Sequence, residues 1–79
     1  MITSEQIRAA RMLLRWSQQD LAKASGISLP TIKRLESQAG PIEAYRTTKD
    51  AIEAAFRKAG VEFTFERGGL GVRLRKTQI

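Results

Sequence analysis

The chain has 79 residues, 14 Lys/Arg against 8 Asp/Glu, a net charge of +6, and neither cysteine nor histidine. That composition excludes disulfides and thiolate metal sites, and it removes the commonest general base and metal ligand. The hydrophobic share of 42% against 28% charged residues is that of one folded domain rather than a disordered chain. The basic excess attracts polyanions, which leaves DNA, RNA and anionic membrane open as partners. No apolar run approaches the roughly 20 residues of a membrane span. The segment Met1-Ile2-Thr3-Ser4-Glu5 lacks the basic and apolar regions of a signal peptide, so a cytoplasmic protein without a membrane partner is expected.

Four helices are predicted, then a hairpin. The first runs from Ser4 to Leu14. Thr3 is its cap, with Gln6 as the return partner of a capping box. Ile7, Ala10 and Leu14 share one face, and Arg11 lies on that same stripe. The second helix spans Gln18 to Ala24. Ser17 caps it, Asp20 sits in its first turn, and Gly26 ends it in the left-handed conformation. The third begins at Ser28, its cap, and runs to Ser37. Pro30 falls in its first turn, and Ile32 and Leu35 point inward.

Gly40-Pro41 stops that helix, and a loop from Pro41 to Arg46 leads to the fourth. Thr47 is expected to cap the fourth helix, with Asp50 three residues later. Ile52, Ala55, Phe56 and Ala59 form its apolar face, and Gly60 ends it. Beyond Gly60 the period changes to two. Val61, Phe63 and Phe65 alternate with polar residues, as do Leu70, Val72 and Leu74, on either side of Arg67-Gly68-Gly69. This is the pattern of a β-hairpin. Opposing Phe63 to Val72 puts all six apolar side chains on one face and sets Glu62 against Arg73.

The informative stretch is Ser17 to Glu36, SQQDLAKASGISLPTIKRLE. Two short helices meet at a tight turn through Gly26. Ala22 is small where they cross, and Ile27, Ile32 and Leu35 fix the second helix with its N-terminus projecting outward. The segment resembles the helix-turn-helix of the Cro/phage-repressor type, the XRE family. The matching residues are Ser17-Gln18, Leu21-Ala22, Gly26-Ile27-Ser28, Thr31-Ile32 and Leu35-Glu36.

The resemblance implies a mainly α, four-helix, lambda-repressor-like domain over residues 1–60, with the hairpin of 61–75 packed on it. It implies a cytoplasmic, usually dimeric protein of bacteria or their phages that binds specific double-stranded DNA and has no cofactor. It assigns Gln18 to phosphate contact and Ser28, Leu29 and Pro30 to the recognition positions. Leu29, expected to be exposed, either packs on a thymine methyl or shields the edge of the core. Thr31 donates to a phosphate or only bonds within its helix, Lys33 reaches a base or a phosphate, Arg34 a phosphate, and Arg46 the backbone from the loop before the fourth helix. Arg11 and Glu36 are implied to form a structural ion pair. Arg15-Trp16 replaces the usual glycine and aliphatic residue, and Leu29-Pro30 replaces a polar pair, which shifts weight from direct readout to DNA shape.

Two strands alone are marginal, so the hairpin either covers the fourth helix of its own subunit, or a homodimer forms through the hairpin or the fourth helix, or the hairpin offers its edge to a protein partner. The alternative function is therefore an antitoxin or adaptor module. Arg73, Arg75 and Lys76 are read as solubilising that edge. RNA binding is disfavoured because Phe63 and Phe65 belong to the apolar face of the hairpin. An enzyme is disfavoured because no glycine-rich phosphate loop follows a strand and the few carboxylates serve caps and pairs.

Overall fold

Each of the first three helices begins where a side chain takes over an orphan backbone N–H. The computed structural model describes residues 2–75. In α1 (Ser4–Leu14) and α2 (Gln18–Ser25) complete capping boxes join Thr3 to Gln6 and Ser17 to Asp20. The Ser17 N–H bonds the Asp20 carboxylate at 2.8 Å. That bond, with the Ser17 hydroxyl, holds the carboxyl below its ordinary range and keeps the cap charged. Ser28 caps α3 (Leu29–Glu36) by accepting from the Thr31 N–H.

The fourth helix departs from the expectation. α4 (Arg46–Lys58) starts two residues earlier than expected, with Tyr45 rather than Thr47 as its N-cap and no side-chain cap bond. Burial decides this. Ile42 is buried and Ala44 packs on the core, so the chain must turn immediately after them to bring Ile52, Ala55 and Phe56 inward. A cap contributes only about 1 kcal/mol and yields to that packing. α2 also runs one residue beyond Ala24, because the Ser25 hydroxyl bonds the Leu21 carbonyl at 2.7 Å.

Two αL residues set the corners. Gly26, at φ 74°, makes the tight turn between α2 and α3. Arg15, at φ 57°, closes α1 in a Schellman turn, with Trp16 N–H on Arg11 O at 2.9 Å and Arg15 N–H on Met12 O at 3.1 Å. A left-handed conformation is costly for a residue with a Cβ. Arg15→Gly is therefore expected to raise the unfolding free energy by about 0.5–1 kcal/mol, the chain-entropy cost of glycine having been deducted. Urea denaturation checks this. A loss of stability instead would show that the Arg15 side chain holds a contact the fold needs.

The hairpin is β1 (Val61–Thr64) against β2 (Gly71–Leu74), antiparallel, with Val61 opposite Leu74, Glu62 opposite Arg73, Phe63 opposite Val72 and Thr64 opposite Gly71. The expected register is present, and Arg73 meets Glu62 at 2.8 Å. The six-residue apolar face is not. Pairing ends before Phe65 and Leu70, which are 49% and 55% exposed, and Leu74 at the other end is 46% exposed. The connection is therefore longer than Arg67-Gly68-Gly69. At its base the Gln6 amide donates to both the Thr64 and Gly71 carbonyls, at 3.2 and 3.0 Å.

β2 lies on α1 and β1 on α4. Phe56 sits at the centre, fully buried, stacked on Trp16 at 5.6 Å and edge-on to Phe63 at 5.7 Å. Two core residues come from outside any periodic segment. Ile2 and Ile42 are buried together where the chain start pairs with the loop after α3, through Ile42 N–H to Ile2 O at 3.2 Å. Glu5 secures the same junction. Bonds from its own N–H and from the Gly40 N–H hold its carboxyl below the ordinary range.

Candidate nucleic-acid interface

α3 is anchored by one face and free on the other. Ile32, Leu35 and Glu36 are buried, while Ser28, Pro30, Lys33 and Arg34 are exposed. Period 3.6 puts Pro30, Lys33 and Arg34 on one outward strip. Leu29 and Thr31 flank it half-buried; Leu29 was expected to be exposed, and its partial burial reflects its place at the edge of the core. The Ser28 hydroxyl donates to the Thr31 hydroxyl at 3.0 Å, so in the free protein the two satisfy each other. The helix has no acid in its first turn and carries Lys33 and Arg34 toward its end.

The anchor of α3 is partly ionic. The Arg11 guanidinium meets the Glu36 carboxylate with two bonds of 2.7 Å, from Nε and Nη2, and Nη1 donates to the Trp16 carbonyl at 2.9 Å. Arg8 donates to the Glu36 backbone carbonyl. Glu36 is 5% exposed, so this carboxylate is fully committed inside the fold. Gln18 joins the same group, donating from Nε2 to Glu36 Oε1 at 3.2 Å. A side chain expected to serve phosphate contact is thereby oriented from within. Its half-buried amide sits beside the capped start of α2, where backbone N–H groups favour an anion.

Arg46 is exposed at the first position of α4. Its neighbours extend the surface in a way the sequence reading missed. Thr31 and Arg34 of α3 share a shallow cleft of about 470 Å³ with Glu43, Ala44, Tyr45 and Thr48. Tyr45 is 83% exposed, and no side chain caps the N–H groups behind it. The only signal was an aromatic residue within a polar loop, and the assignment of the cap to Thr47 hid it. Arg34 Nη1 approaches the Glu43 carbonyl at 3.5 Å, too long to hold the guanidinium in place. Among the described residues no group of three or more acidic side chains is placed to hold a metal ion. None of the helices described is long and apolar enough to cross a membrane.

Residues 7–41 match the family model described as helix-turn-helix. That segment is similar to the helix-turn-helix of the Cro/phage-repressor type. The matched segment begins in α1, takes in α2, Gly26 and α3, and ends at Pro41. A search of curated proteins finds no match. The helix-turn-helix is a motif of DNA-binding regulators, and double-stranded DNA is the partner it implies. α4, with Arg46 at its start and Tyr45 before it, and the hairpin lie outside the matched segment.

Proposed function

We propose that this protein is a sequence-specific DNA-binding repressor that acts in the cytoplasm as a homodimer and inserts the N-terminal half of α3 into the major groove. The observation that carries the reading is the outward strip of α3. Pro30, Lys33 and Arg34 are exposed on a helix whose opposite face is locked by Ile32, Leu35 and Glu36. In that pose Leu29, Pro30 and the Ser28–Thr31 hydroxyl pair approach base edges. Gln18, Arg34 and Arg46 take phosphates on either side. Pro30 offers shape and apolar contact without a side-chain hydrogen bond, which favours sites selected partly by groove geometry. A dimer through the hairpin or α4 presents two such helices about 34 Å apart, matched to a near-palindromic site. Residues 1–60 and the hairpin of 61–75 act as one domain in this reading.

Arg34→Ala is expected to weaken binding to every duplex by about tenfold and to lower the salt slope by about 0.9, the signature of one lost phosphate contact. Anisotropy titrations over a salt series measure both. A loss confined to one base position would assign Arg34 to base readout instead.

The exposed Phe65, Leu70 and Leu74 favour a second reading, an antitoxin or adaptor that holds another protein by the hairpin. A short co-transcribed toxin-like reading frame beside the gene distinguishes it.

A further inference from the structure

The outer surface of α1 is inverted. A helix at the surface of a domain ordinarily turns its charged residues to water and its apolar ones to the core. Here Arg8 and Arg11 turn toward α3, where Arg8 donates to the Glu36 carbonyl and Arg11 meets the Glu36 carboxylate. The face opposite the core carries Glu5, Ala9, Met12 and Leu13, all exposed and spaced to share one side of the helix. Met12 is 71% exposed and Leu13 41%. Beside this face lies a cleft of about 530 Å³ between α1 and the hairpin, bordered by Gln6 and Ala9 on α1 and by Leu70 and Gly71 on the hairpin. Leu70 is 55% exposed. Ala9 belongs to both features, so the apolar surface continues from Met12 through Ala9 to Leu70.

We propose that α1 packs antiparallel against α1 of a second copy, with the apolar face of each helix covering that of the other. This rests on the homodimer reading above and names its interface, extending it from the hairpin onto α1. The face is complementary to itself. A carboxylate, Glu5, stands at one end and an exposed guanidinium, Arg15, at the other, with the apolar residues between them. The Glu5 side chain is 55% exposed and so remains open to a partner cation. Antiparallel packing brings the unlike ends together. Parallel packing would oppose Glu5 to Glu5 and Arg15 to Arg15.

Burial and charge together select the register. With Met12 of each copy on Ala9 of the other, the small residue admits the long thioether, Leu13 lies over the cleft toward Leu70, and Glu5 reaches Arg15. Sliding the pair one turn toward the N-termini sets Glu5 against Met12 and Leu13, a charge inside the apolar contact, and leaves Arg15 outside it. Sliding it one turn toward the C-termini sets Arg15 over Ala9 and leaves Glu5 outside. α3 packs on the side of α1 that Arg8 and Arg11 face, so its outward strip stays clear of this contact.

The test uses the full chain in sedimentation equilibrium, with Met12→Glu and Arg15→Glu. Both residues are exposed in the single chain, so neither change enters the core. Each change enters the dimer twice by symmetry. Glutamate at 12 places a charge at the apolar centre and should raise the dimer dissociation constant at least about tenfold. Glutamate at 15 faces Glu5 of the other copy and should raise it about three- to tenfold. Circular dichroism melts verify that both variants fold, and if the first does not, Arg15→Glu decides alone. Weaker association in both supports the α1 interface. A dimer indifferent to either change overturns it while leaving the homodimer reading intact. A chain that stays monomeric throughout, its α1 face then left to another protein, overturns both.

Discussion

Glu36→Ala should destabilise the protein by about 3–5 kcal/mol, the cost of leaving a buried charge without its partner. Arg11 would keep only the Trp16 carbonyl, because the two 2.7 Å bonds to Glu36 are its other contacts. Its side chain is mostly withdrawn from solvent and could not regain water without moving α1. The loss is a large fraction of the roughly 5–15 kcal/mol that holds a small domain together. The double replacement Arg11→Met with Glu36→Leu should recover most of it, because apolar side chains of similar volume need no partner. Urea denaturation of the unaltered protein, Arg11→Met, Glu36→Leu and the double variant gives the coupling directly. A single-variant loss below about 1 kcal/mol would mean that the pair is solvated and that α3 is held by Ile32 and Leu35 alone. The effect reaches function as well, since Gln18 is oriented by the same carboxylate.

Phe56→Ala should cost a comparable amount, about 3–5 kcal/mol, through lost burial and the cavity left behind. Phe56 is the one ring that touches both Trp16, before α2, and Phe63 of the hairpin. Its removal therefore loosens the entry to the helix-turn-helix and the seat of β1 together. The readouts are the urea midpoint and the emission of Trp16, the only tryptophan. The midpoint should fall, and the native emission should shift as the stacked ring is lost. A small stability loss with unchanged emission would show that the core closes without this ring. Phe56→Leu, which keeps most of the volume, should cost about 1.5 kcal/mol or less.

What the sequence disclosed and what it hid divide along a physical line. Local chemistry was legible. Thr3 with Gln6, and Ser17 with Asp20, announce their helices because a cap depends on residues three apart. Gly26 announces its turn, and the alternation around Glu62 and Arg73 announces the register. Features set by distant packing were not legible. Ile2 and Ile42 join the core from segments with no period, and nothing local marks them as partners. The start of α4 follows from the burial of Ile42 rather than from the threonine that looked like a cap. Phe65 and Leu70 fit the strand pattern, yet the ladder ends first, where Gln6 of α1 takes the carbonyls. At the interface the α3 strip follows from the motif. Tyr45 and Thr48 required the approach of the α4 start to Arg34, a tertiary fact.

The central claim is that the α3 strip binds DNA. The most direct measurement is a fluorescence-anisotropy titration of a random duplex and of the gene's own upstream region, each at about 50 and 200 mM salt. The account predicts binding to both at low salt and a steep loss at high salt. It also predicts a preference for the upstream duplex, and weaker binding to both duplexes when Lys33 and Arg34 are replaced by alanine. No binding to either duplex at protein concentrations of about 100 µM, or binding indifferent to salt and to those two substitutions, would contradict it.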